Sequence, residues 1–199
     1  EYKRSNKYDI NLVREKSMGP NPIKLEEELL ADHRISPGAT VMDLGSGQGL
    51  TSVFLVKEYG FRVFAADLWS NPTENKRFFD QVGLTTEQII SIHADANNLP
   101  FAEEFFDAVI SIDSYHYFGR DLEYLGKHLL QFVKHGGYLY IAVPGMKKDC
   151  HDNLPAELLL SWTPDELDYI HDIPYWTNII CQTEGLEIIS IHEMESNEE

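Results

Sequence analysis

Val41-Met42-Asp43-Leu44-Gly45-Ser46-Gly47-Gln48-Gly49-Leu50 decides how this chain is read. Val41 to Leu44 predict a short buried strand that carries an acidic residue near its end. Three glycines then alternate at positions 45, 47 and 49. From Leu50 the pattern turns helical, with Leu50, Val53, Phe54 and Val56 on one face and Lys57 and Glu58 off it. The stretch is a strand, a tight glycine turn and a helix. Glycine lacks a Cβ and accepts positive φ, so such a turn lets the backbone approach a ligand closely. The ligand then lies at the carboxyl end of the strand, beside the helix N-terminus.

Two neighbouring stretches repeat the pattern. Phe61 to Ala66 predict a second apolar strand ending at Asp67, 18 positions past Gly49. An acidic residue at about that distance suits the hydroxyls of a ribose. Ile89 to Ala94 predict a third strand ending at Asp95. Three successive strands therefore carry an aspartate at or near the carboxyl end, a repetition that packing alone does not require.

The chain resembles the Rossmann-like, class I S-adenosylmethionine-dependent methyltransferases in five stretches taken in order. They are Asp43-Leu44-Gly45-Ser46-Gly47-Gln48-Gly49, Ala66-Asp67-Leu68-Trp69, His93 to Phe101, Phe106 to Ser111, and Gly136-Gly137-Tyr138-Leu139. The likeness runs from about residue 20 to the end and is nearest to the small-molecule group that includes quinone-biosynthesis methyltransferases. It implies an α/β fold with a mostly parallel, doubly wound sheet. The cofactor implied is S-adenosyl-L-methionine, with S-adenosyl-L-homocysteine as product. By the same resemblance Gly45, Ser46, Gly47 and Gly49 admit the methionine part of the cofactor, and Asp43 helps hold its amino group. Asp67 takes the ribose hydroxyls, Asp95 with the Ala96 amide reads the adenine, and Leu68 or Trp69 covers the ring.

Ser111-Ile112-Asp113-Ser114-Tyr115-His116-Tyr117-Phe118 follows the fourth strand, which in resembling enzymes passes beside the transferred methyl. Methyl transfer is an in-line displacement at a carbon already activated by sulfonium. Alignment of donor and acceptor is the main task, and it supplies roughly 7–11 kcal/mol. Three residues are the catalytic candidates. His116 is a base for an acceptor with a weakly acidic proton, or a structural histidine. Asp113 orients His116 or contacts the cofactor. Tyr115, like Tyr117, shapes the acceptor pocket or packs.

Composition sets limits. The 199 residues suffice for one α/β domain. The net charge is −17, from 16 basic and 33 acidic residues. Nucleic acid is thereby disfavoured as a partner, because phosphate binding needs a basic footprint. No apolar run approaches ~18 residues, so no membrane insertion is expected. Cys150 and Cys181 have no metal-type spacing, and reduced thiols suggest a cytoplasmic enzyme. His151, between Cys150 and Asp152, is a single short cluster, whereas a metal site needs three or four converging ligands. No metal is expected.

The expected organisation is an N-terminal arm or lid over 1–22 and a single domain over 23–199, with 144–163 as a substrate-facing insertion. Within the domain, a helix over Ile23 to His33 turns three glutamates outward, a helix covers Asp121 to Val133, and strand five runs from Tyr138 to Val143. A helix near Tyr175 to Glu184 precedes a sixth strand over Leu186 to Ile191. The antiparallel seventh strand usual in the family is missing. A small-molecule acceptor is the favoured partner, with aromatic residues hinting at an apolar one. Two alternatives stand beside the methyltransferase reading. A nicotinamide-dependent oxidoreductase would also use Asp67, but its fingerprint is Gly-x-Gly-x-x-Gly and Leu50 occupies the last position. A catalytically silent S-adenosylmethionine-binding scaffold would keep the cofactor motifs without turnover.

Overall fold

The computed structural model describes residues 2–197. Its centre is a sheet of five parallel strands: β1 (Thr40–Leu44), β2 (Arg62–Asp67), β3 (Ile89–His93), β4 (Phe106–Ile112) and β5 (Val133–Ala142). The strand order is β3-β2-β1-β4-β5. β1 lies between β2, where Asp43 pairs with Ala65, and β4, where it pairs with Ile110. Chain order reverses at this point, so β1 and β4 diverge at their carboxyl ends and leave the crevice in which open α/β sheets bind ligands.

Strands buried on both faces read as continuous apolar runs, and alternate residues of β1 feed two separate cores. Val41, Val63, Ala65, Ala108 and Ile110 pack on one face with Ile23, Val53, Phe54, Phe78 and Phe79. Those partners come from α2 (Pro22–Leu29), α3 (Leu50–Tyr59) and α4 (Pro72–Gln81). Met42, Leu44, Phe64, Ala66 and Val109 pack on the other face with Tyr115, Tyr124, Trp176 and Ile179. Trp176 and Ile179 belong to α6 (Ile173–Cys181). Burying each large apolar side chain is worth about 1.5–3 kcal/mol, so the two faces carry most of the fold's stability.

The N-terminal arm is a single turn at Ser5–Lys7 followed by α1 (Ile10–Lys16), which Asp9 caps. It lies along α3, with Tyr8 against Phe54 and Lys7 paired to Glu58. The arm then reaches Met18 and Gly19, which adjoin the glycine turn after β1 and the segment after β4.

Four expectations are corrected. α2 ends at Leu29, not at His33, and its glutamates do not face solvent. Glu26 is fully buried, Glu27 accepts the amides of Arg4 and Ser5, and Glu28 accepts the Tyr2 hydroxyl and the amides of Glu195 and Ser196. The helix expected over Asp121 to Val133 is a π-type turn at Leu125–Leu129 and a 3-10 turn at Leu130–Phe132. His135 consequently lies in β5, and the paired register with β4 resumes at Tyr138 after an irregularity. Leu186 to Ile191 joins no sheet, so five strands form where six were expected. Met194 packs on the first core and the next two amides bind Glu28, so the chain after this stretch is fastened to α2. Last, α6 starts two residues earlier than Tyr175, because the Asp172 side chain caps it.

Candidate active site

The turn after β1 is built as the glycine pattern implies, but its three glycines answer to different neighbours. Gly45, Gly47 and Gly49 all have positive φ. A Cβ on Gly45 would stand 1.8 Å from the Ser114 hydroxyl, and one on Gly49 would stand 2.5 Å from the Phe79 ring. Both glycines are thus fixed by packing. A Cβ on Gly47 would meet only the Met18 methyl, at 3.6 Å, so Gly47 is the glycine that leaves room for a ligand. Ser46 is buried and its amide donates to Ala66 O.

Asp43 lies beneath this turn rather than in the crevice. It is fully buried and its Oδ2 accepts the Thr51 and Ser52 hydroxyls, both at 2.6 Å, which locks β1 to the start of α3. Burial pushes its carboxyl up to about 6. Glu26 is itself held well above the usual carboxylate range, first by burial and then by Asp43. The expected hold of Asp43 on a cofactor amino group is an indirect one, through backbone or water, and a carboxylate with no exposed surface leaves only such a path.

Asp67 ends β2 at the crevice. Its Oδ2 accepts the Gly47 amide at 2.9 Å, and its Oδ1 accepts the amides of Trp69 and Ser70. Asp67 therefore binds the glycine turn to the loop that carries Leu68 and Trp69, both exposed. Asp95 is exposed after β3, and its Oδ1 accepts from Asn97. Ala96 is buried, and its carbonyl accepts the Tyr124 hydroxyl. The structure thus brings Gly47, Asp67, Trp69 and Asp95 to one edge of the sheet.

The segment after β4 completes that edge. Asp113 has φ +52°, strained for a residue with a side chain. Its amide donates to Ala142 O, while its carboxylate lies against Gly19 and is raised by burial to about 6. Ser111 donates to Leu44 O and ties β4 to β1 just below. His116 is buried, and its Nδ1 has no hydrogen-bond partner. Burial, and then Arg120, push it down to about 4, so the ring is neutral at neutral pH. Asp113 does not bond to His116, which removes the orienting role considered for it.

Tyr115 is corrected from a site residue to a core residue. Its ring is 1% exposed and sits among Phe118, Tyr124 and Trp176. It also fills the space a side chain at position 119 would need, since a Cβ on Gly119 would stand 2.0 Å from the ring. Its neighbour Tyr117 faces outward instead, between Trp69 at 5.4 Å and Tyr169 at 5.2 Å.

Three groups were not selected as site residues from sequence. Tyr169 comes from the segment after α5 (Pro164–Leu167) and approaches both His116 and Tyr117. Arg120 stacks on Tyr169 and binds Asp168 through Nη1. Asp149, His151 and His171 form a polar cluster beside them. The signal for Tyr169 was only its aromatic character, and the distances in sequence, 49 residues from Arg120, hid the rest.

Residues 42–141 match the methyltransferase domain family, and the chain belongs to it. The segment is 36% identical over 110 residues to the 2-methyl-6-phytyl-1,4-hydroquinone methyltransferase of Synechocystis, covering 54% of this chain and 33% of that protein. The chain thus spans about a third of this relative's length. Among solved structures, the fold is similar to geranyl diphosphate C-methyltransferase from Streptomyces coelicolor, whose structure contains S-adenosyl-L-homocysteine. The TM-score is 0.59 at 20% identity, over 79% of this chain and 58% of that one. It is also similar to an S-adenosylmethionine-dependent methyltransferase from Aquifex aeolicus, with a TM-score of 0.54 at 21% identity over 80% of each chain. The fold is that of the Rossmann-like S-adenosylmethionine-dependent methyltransferases. None of these matches supports the nicotinamide reading. Among the described residues no helix is long and apolar enough to cross a membrane.

Proposed function

We propose that this member of the methyltransferase family transfers a methyl group from S-adenosylmethionine to a small acceptor with an apolar or aromatic face. The observation that carries the reading is Asp113, a carboxylate on strained backbone with no hydrogen-bond partner, set beside Gly19 and the glycine turn. A backbone kept in a rare conformation at a crevice is a common mark of a binding residue. The residues present fit the cofactor. Gly47 keeps open space at the turn, Asp113 and Asp67 offer negative charge to an amino group and to hydroxyls, and Trp69 offers an exposed ring for the base. The cofactor supplies an electrophilic methyl on a positively charged sulfur.

The chain's own part is placement. Trp69, Tyr117 and Tyr169 form an aromatic wall around the buried His116. Such a wall holds a flat or hydrocarbon acceptor and excludes water, which supplies the alignment that direct displacement needs. His116, neutral and with Nδ1 buried and unpartnered, meets the acceptor through Nε2, and gives the acceptor a hydrogen bond or takes one from it according to tautomer. With so low a basicity it orients an acceptor better than it deprotonates one. The arm at Met18 and Gly19 closes the crevice from the N-terminal side, and 144–163 carries the variable wall.

The test is methyl transfer from labelled S-adenosylmethionine into a cell extract that is then fractionated. Label in small molecules or lipid supports the reading. Label in protein or RNA keeps the enzyme class and overturns the acceptor class. Cofactor binding without any transfer points to the silent scaffold, and no binding sinks the proposal.

A further inference from the structure

Asp149, His151 and His171 place their ligand atoms within 4.8 Å of one another, although 20 residues separate the two histidines. Both imidazoles face the same carboxylate through Nδ1. His151 Nδ1 is 2.6 Å from Asp149 Oδ1, and His171 Nδ1 is 3.0 Å from Asp149 Oδ2. Both also turn Nε2 to a main-chain carbonyl, Leu167 O at 2.8 Å and Asp168 O at 3.0 Å.

Those carbonyls settle the tautomer. A carbonyl only accepts, so each Nε2 must carry the hydrogen. A neutral imidazole then has a lone pair at Nδ1, and that lone pair points at a carboxylate oxygen. Two acceptors do not attract. Positive charge must therefore occupy the space between them. One way is a second proton on each ring. That places two imidazolium rings, stacked at 4.6 Å, on a single carboxylate. The other way is a cation that takes both nitrogens and the carboxylate together, with both rings neutral.

We propose that Asp149, His151 and His171 bind a divalent late first-row metal ion, of which zinc is the representative. Two imidazole nitrogens and one carboxylate are a donor set suited to zinc and its neighbours, and not to magnesium or calcium. The outer contacts are those such sites use. Each ligating ring donates its other N–H to a fixed oxygen, which sets the ring's orientation. His171 is further held by the Tyr175 ring, stacked at 3.5 Å. Asp149 is held by its own amide, which donates to Asp172 Oδ2. The side chains of Asp149, His151 and His171 are 32%, 25% and 10% exposed, so a fourth position remains for water or a small ligand.

The position of the site gives the ion a purpose. It joins the loop after β5 to the segment 167–172, which presents Tyr169 to His116 and Tyr117. Gly145 and His171 already form a backbone bridge across this joint. The ion clamps the wall of the crevice without entering it. The proposal departs from the sequence expectation of no metal, and it does not rest on methyl transfer.

The test is zinc binding by the whole chain after dialysis against zinc and then against metal-free buffer. Elemental analysis is expected to find one zinc per chain. Cobalt substitution is expected to give visible absorption bands, and added zinc to raise Tm. His171→Gln and His151→Gln are each expected to weaken zinc affinity at least a hundredfold in competition with a chromophoric chelator. His135→Gln, at an exposed histidine in β5, is expected to leave affinity unchanged. Should His171→Gln fail to fold, His151→Gln gives the same reading from the more exposed ligand. Absence of stoichiometric zinc, or affinity unaltered in both variants, overturns the proposal and leaves two protonated rings as the way the cluster is held. None of these readouts uses the methyl-transfer reaction.

Discussion

The crevice has two walls, and they are held by different means. The wall made by residues 43–95 is fixed by main chain: Asp67 gathers three backbone amides, and the strands beneath it pair along their whole length. The wall made by residues 144–172 has no strand, two 3-10 turns and one short α-helix. Apart from one backbone bridge between Gly145 and His171, it is held by side chains: the Thr163 and Glu166 capping box, the Arg120 to Asp168 pair, and the cluster of Asp149, His151 and His171. Main-chain pairing tolerates most changes of side chain, whereas side-chain contacts change with each substitution. Under the proposed function the first wall would serve a cofactor that never varies, and the second an acceptor particular to this chain.

The comparison breaks most sharply at Asp67. Asp67→Ala removes a carboxylate that binds three amides, and hydrogen bonds to a charged group are worth about 1.5–3 kcal/mol each. We predict a loss of roughly a hundredfold in S-adenosylhomocysteine affinity by calorimetry, equivalent to about 2.8 kcal/mol. Unchanged affinity would remove Asp67 from the cofactor wall. His116→Ala is the next largest. Turnover is predicted to fall at least about tenfold, within the range of positioned acid–base groups. Cofactor affinity should stay within about twofold, because the proposed function puts His116 on the acceptor side. An unaltered rate would make His116 part of the scaffold.

Glu26→Gln tests the layer beneath the first wall. Burial raises the Glu26 carboxyl well above its unfolded value. A raised group favours folding at low pH and loses that contribution as pH rises towards its folded pKa. Wild-type stability is therefore predicted to fall as pH rises above the unfolded carboxylate range and through the folded pKa values of Asp43 and Glu26. In that window each raised group costs about 1.4 kcal/mol per pH unit, and Asp43 adds its share up to about 6. Glu26→Gln should flatten the decline, with a higher Tm at pH 8 and little change at pH 5. Equal slopes in denaturation at the two pH values would refute it. The smallest effect is expected at Thr163→Ala, which opens the capping box of α5. About 1 kcal/mol of stability should be lost, with acceptor KM changed and cofactor affinity unmoved. A fall in cofactor affinity instead would mean that the two walls are one unit.

The difference between the walls also decides what the sequence could reveal. Strand ends were legible because parallel strands buried on both faces leave continuous apolar runs, and the runs of β2, β3 and β4 stop at Asp67, Asp95 and Asp113. The glycine turn was legible, but the separate reasons for Gly45, Gly47 and Gly49 were not, since Ser114 and Phe79 are distant in the chain. Glu26 read as solvent-facing from its charge, although it lies three residues after Ile23 and four before Leu30 on the buried face of the helix, while Glu27 and Glu28 are covered by an arm and a tail that periodicity does not show. Leu186 to Ile191 read as a strand from its residue types, yet a strand exists only through its pairing, and this stretch pairs with no other strand. His171 and Asp149 could not be paired by spacing, because the loop and α5 between them set the distance.

The Tyr115 ring occupies the space where position 119 would otherwise carry a side chain. For a lineage of such proteins this imposes an order of events. A residue larger than glycine at 119 is tolerated only once position 115 has become smaller, and a smaller residue at 115 first leaves a hole that costs stability. Either first step is harmful and the pair together is not. The two positions are therefore expected to change together or remain fixed, and the history of one is written in the other.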